Sequence, residues 1–78
     1  MVTVHRAHGL RFVIFVDDHE PAHVHVFGDG EARIDLAGPD GPLLVWAVGM
    51  KRSDIRRALD AATEHREALL AHWRRIHG

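Results

Sequence analysis

The sequence predicts a small α+β protein: a short antiparallel sheet of four to five strands packed against one long C-terminal helix. Three observations carry this. Residues Val2 to Val48 fall into short alternating or apolar runs broken by Gly, Pro and Asp, the pattern of strands and turns. From Asp54 to Ile76 the apolar residues recur instead at spacings of three, four and seven, the period of a helix with one buried face. A chain of 78 residues has room for one core. A single domain over 1–78 follows, with a sheet part at 1–49 and a helix at 53–77.

The elements follow in order. Val2 opens a short alternation, and Arg11-Phe-Val-Ile-Phe-Val16 is a continuous run of β-branched and aromatic residues, predicting a strand covered on both faces. Asp17-Asp-His-Glu-Pro21 breaks it, because acidic turn formers and a proline disfavour continued structure. Ala22-His-Val-His-Val-Phe27 alternates strictly. Gly28-Asp-Gly30 then supplies a hairpin signal into Glu31-Ala-Arg-Ile-Asp-Leu36, which alternates as well. Ala37 to Pro42 reads as a loop, Leu43 to Val48 as a last apolar strand, and Gly49 as the turn into the helix. In that helix Ile55, Leu59, Ala62, Leu69, Trp73 and Ile76 form the buried stripe, Ser53 is the expected N-cap, and its length is about 35 Å.

Composition limits the function classes. With 46% apolar and 27% charged residues the chain is globular in character, and no apolar run reaches the roughly 18 residues of a membrane span. Met1 to Arg6 lack the basic and apolar start of a secretory signal, and there is no cysteine, so a cytoplasmic location is expected. A net charge of −1 gives the whole molecule no electrostatic reason to seek nucleic acid. Arg56, Arg57, Arg74 and Arg75 alternate with Asp60, Glu64 and Glu67 on the polar helix arc, which predicts a solvated face.

Eight histidines are the unusual feature, because imidazole is the side chain that titrates near neutrality and binds transition metals. Alternation places His23 and His25 on one strand face and Ala22, Val24 and Val26 on the other, so the histidines are expected to point away from the core. The same alternation sends Thr3, His5, Glu31, Arg33 and Asp35 outward. A His-x-His pair has Cα atoms about 6.5–7 Å apart, close enough to share one ion. His19, or a carboxylate of Asp17, Asp18 or Glu20, completes three or four ligands, and zinc, nickel and copper suit such a set. Against this stands the ordinary reading of two surface histidines on a half-exposed strand. The same pair also suits acid–base work: His23 and His25, with Arg33 or Arg66 on a phosphate, make a nuclease-like effector.

Arg66 falls inside the apolar stripe, and a buried guanidinium needs a partner. Glu31, Asp35 or Asp17 are the expected partners, with an anion clamp as the functional alternative. Val13 and Phe15 leave an apolar spot on the open sheet face, suited to a dimer seam or a partner protein. No phosphate-binding glycine loop, Cys-x-x-Cys pair or nucleophile elbow is present, so no enzyme class is assigned.

His19-Glu-Pro-Ala-His-Val-His-Val26, the Gly28-Asp-Gly-Glu-Ala32 run and Glu64-His-Arg-Glu-Ala-Leu-Leu-Ala-His-Trp73 together resemble a family of small bacterial domains of unknown function. Its hallmark is a His-Glu-Pro-Pro-His-Val-His stretch. The resemblance covers nearly the whole chain and puts weight on His19, Glu20, Pro21, His23, His25, Arg66 and Trp73. It implies a cytoplasmic protein encoded beside a second small protein in a toxin–antitoxin-like pair, hence a small protein partner. Ala22 replaces the second proline of the hallmark, Lys51 stands where a capping serine is usual, and His65 replaces an asparagine. The function expected is therefore an interaction module with a histidine-rich face that binds a transition metal, with His19, Glu20, His23 and His25 as ligands.

Overall fold

The structure is a computed structural model that describes residues 1–78. Five strands, β1 (Val2–Ala7), β2 (Leu10–Ile14), β3 (His23–Phe27), β4 (Glu31–Asp35) and β5 (Leu43–Val48), are followed by helices α1 (Arg52–Glu64) and α2 (Arg66–His77). The strands form one antiparallel sheet in the order β1-β2-β3-β4-β5, each hydrogen-bonded to its neighbour in sequence. Short connections make this meander the natural arrangement. His8 and Gly9, both at positive φ, turn β1 into β2. Gly28 to Gly30 turn β3 into β4. Gly30 lies so close to the Val48 and Gly49 backbone that a Cβ there has no room. No helix is long and apolar enough to cross a membrane.

Both helices cover one sheet face. The core unites Leu10, Phe12 and Ile14 of β2, Val24 and Val26 of β3 and Ala32 and Ile34 of β4 with Ala58, Ala62, Leu69 and Trp73 of the helices. Each large aliphatic or aromatic side chain buried here contributes about 1.5–3 kcal/mol relative to exposure. The other face is open, yet Val13 is fully buried on it, in line with a strand covered on both sides. Val13 stands opposite His25, whose ring meets that of Phe15 at 4.9 Å.

Three local expectations are corrected. The helical segment is not continuous: His65, at φ −106 and ψ 18, separates α1 from α2. The i→i−4 bonds His65 N–H to Ala61 O and Leu69 N–H to His65 O continue through the break, so the apolar period runs on unbroken in sequence. The break accompanies a division of the helical surface in which α1 meets β4 and β5 while α2 reaches β1. Lys51, not Ser53, is the N-cap, without a side-chain hydrogen bond, and Ser53 sits inside the first turn. Finally, His5 does not face outward. Pairing passes from Thr3↔Val13 to His5↔Phe12, so Val4 is an extra, bulged residue and the alternation reverses after it. His5 therefore lies on the helix side, its ring 5.3 Å from Phe12 and 4.4 Å from His65.

Candidate metal centre

The chain turns sharply after β2. Asp18 N–H donates to Phe15 O at 3.1 Å, and Phe15 N–H donates to Asp18 Oδ2 at 3.1 Å. A short acidic side chain bonding back to the backbone is what such a turn selects, and it leaves the Asp18 carboxylate held in one place. That place is beside β3. His23 Nε2 lies 3.2 Å and His25 Nε2 3.8 Å from Asp18 Oδ2, and one ligand atom from each of the three residues falls within 4.8 Å of the others.

The other ring nitrogens decide the chemistry. His23 Nδ1 is 2.9 Å from Pro21 O. A carbonyl only accepts, so Nδ1 carries the hydrogen and the neutral ring turns an Nε2 lone pair toward Asp18. His25 repeats this: Nδ1 is 3.2 Å from Glu31 Oε2, which in the neutral ring leaves Nε2 as the lone-pair nitrogen. Two lone pairs and a carboxylate oxygen thus converge, a mutually repulsive set until a cation sits between them. A backbone carbonyl or carboxylate behind Nδ1 is how metal-binding histidines are oriented and made more basic. Tetrahedral ligands at 2.0–2.1 Å from an ion stand about 3.3 Å apart, so the set, spread within 4.8 Å, would have to draw together around zinc.

The surroundings are apolar and aromatic. His23 is 2% exposed, against the outward position read from alternation. It does point off the core face, but it opens β3 and is covered by Trp73 of α2 at a ring distance of 5.1 Å. Trp46 of β5 lies 6.0 Å from His25, so the site continues onto an edge where Leu43, Trp46 and Val48 are exposed. The surface depressions of the molecule do not contain Asp18, His23 or His25.

The remaining candidates are placed elsewhere. His19 is exposed and lies outside the converging set. Glu20 turns away to accept a hydrogen bond from Trp73 Nε1 at 3.0 Å. Of the loop acids, Asp18 is the one brought to the histidines. Arg33 stands across from His25 but donates from Nε to Asp35 Oδ1 at 3.1 Å. Arg66 meets none of its expected acidic partners. Its Nε donates to Leu36 O at 2.7 Å and its Nη2 to Gly38 O at 3.0 Å, because the chain leaving β4 carries carbonyls that no strand satisfies. The role of Glu31 behind His25 escaped the sequence reading. The three-residue turn at Gly28 to Gly30 was the available signal, since it pairs Phe27 with Glu31 and so puts Glu31 diagonal to His25.

Comparison with known proteins adds one finding. A family model described as a domain of unknown function (DUF4160) matches residues 9–74. No curated protein and no solved structure matches the chain. The matched segment runs from the β1–β2 turn through the Asp18, His23 and His25 cluster to the end of the α2 contact with it, so the chain belongs to the DUF4160 family of domains of unknown function.

Proposed function

We propose that the protein is a small interaction module that holds a divalent transition ion, of the zinc, nickel or copper class, through Asp18 Oδ2, His23 Nε2 and His25 Nε2. The observation that carries this reading is the commitment of both Nδ1–H groups to fixed acceptors, which leaves two Nε2 lone pairs and a carboxylate converging on one point. The ion joins the β2–β3 loop to β3 and leaves room for a further ligand. That ligand comes from water or from the docked protein. The partner is a second small protein of a toxin–antitoxin-like gene pair, as the family resemblance implies, and it docks over Trp46 and the exposed residues of β5 beside the ion.

The nuclease-like alternative uses the same histidines as acid and base. It is less favoured because Arg33 and Arg66, its phosphate-holding residues, are engaged by Asp35 and by two backbone carbonyls.

Calorimetric titration of tag-free protein with zinc, nickel and copper tests the metal reading. One ion bound per chain, with binding lost in a His23→Ala, His25→Ala variant, is the expected result. Heats no larger than those of the variant sink it and leave Asp18–His23 as a structural contact. Co-purification with the product of the neighbouring gene tests the partner separately.

A further inference from the structure

A second pair of histidines lies far from the first in character. The β-bulge at Val4 turns His5 to the helix side, where its ring meets His65 at 4.4 Å with a 42° tilt. His65 is the residue at which the helical segment breaks into α1 and α2. His5 Nε2 is buried and has no hydrogen-bond partner.

We propose that His5, packed on His65, forms an acid-sensitive latch, holding α2 against β1 while the His5 ring is neutral and releasing it when that ring takes up a proton. An imidazolium needs acceptors at both nitrogens, and the structure offers none at His5 Nε2. The facing rings of Phe12 on β2 and of His65 supply no compensating negative charge. The pKa of His5 is lowered from 6.5, first by burial and then by the His65 charge, with Glu64 opposing. Glu64, with Oε2 4.0 Å from His65 Nε2, opposes the shift, but neither it nor Glu67 in the first turn of α2 bonds the buried His5 Nε2.

The latch is placed where it matters. α2 carries Trp73, which covers His23 and donates to Glu20 on the loop that bears Asp18. Releasing α2 uncovers His23 and frees this loop. The device does not depend on an ion binding there.

Amide hydrogen exchange of the full chain at about pH 7.5 and about pH 5.5, corrected for the intrinsic rate, tests it. Wild-type α2 around Leu69 to Trp73 is expected to lose about tenfold more protection than β3 on acidification. A His5→Phe variant keeps a ring packed on Phe12 and His65, retains His23, and is expected to show no such excess. His5→Leu decides the matter if that variant does not fold. Equal loss in wild type and variant, or wild-type α2 protection that tracks β3, overturns the latch.

Discussion

Two histidine pairs in one small molecule meet opposite fates. His23 and His25 have rings 5.2 Å apart, each with Nδ1 backed by an acceptor and each with Nε2 aimed at Asp18. His5 and His65 are closer, at 4.4 Å, but their one near acid, Glu64, stands beside His65, and His5 Nε2 has no partner at all. On the reading proposed above, the first pair suits a cation and the second does not. The difference comes from what lies behind and between the rings, and not from the histidines themselves.

The contrast can be broken most severely at the first pair. Changing Asp18 to Ala, or His23 and His25 together to Ala, removes atoms that would touch the ion. Zinc affinity by calorimetry is expected to fall more than about 100-fold, beyond the range seen when only orienting groups are lost. A fall below tenfold would show that Asp18, His23 and His25 are not the ligands. Next in size is Arg66→Met, which cuts the two charged donations that tie the start of α2 to Leu36 and Gly38. About 2 kcal/mol of stability is expected to go, read as a lower urea midpoint at unchanged slope. Because α2 serves both pairs, an unchanged midpoint would mean that its docking rests on Leu69 and Trp73 alone.

Glu31→Ala sharpens the comparison by making the first pair resemble the second. It removes the acceptor behind His25 Nδ1 without touching a proposed ligand, and about a tenfold loss of zinc affinity is expected. The smallest effect belongs to His5→Phe. With the folded-state pKa of His5 lowered, the unfolded chain binds more protons in the acid range. The stability contributed by neutral His5 is therefore complete above 6.5 and is lost as pH falls through the lowered value. Melting temperature is expected to drop less steeply on acidification below 6.5 in His5→Phe than in wild type. Parallel pH profiles would remove His5 from the acid response.

Much of the fold is legible in the residues. Strict alternation in Ala22 to Phe27 and Glu31 to Leu36, joined by Gly-Asp-Gly, specifies a hairpin with Val24, Val26, Ala32 and Ile34 inward, as the structure has it. Leu43 to Val48 is a strand at its expected bounds, and the helical period from Asp54 to Ile76 carries Leu69 and Trp73 into the core. The candidate site is half legible. His23 and His25 belong to it by their spacing, whereas the choice among Asp17, Asp18 and Glu20 depends on a turn closed by the Phe15 amide and on Trp73, a residue 53 positions away from Glu20.

What the sequence by itself determined is therefore periodic: which segments are strands, which is helical, and which face of each is apolar, because these follow from backbone geometry repeated every two or 3.6 residues. The tertiary structure alone decided the exceptions to period and the partners at long range. A bulge at Val4, invisible to any count of alternating residues, sends His5 to the helices. The turn of α2 toward β1 at His65 gives that ring its neighbour. Arg66 finds two carbonyls instead of an acid, since hydrogen-bond vacancies at the end of a strand exist only once the sheet is assembled.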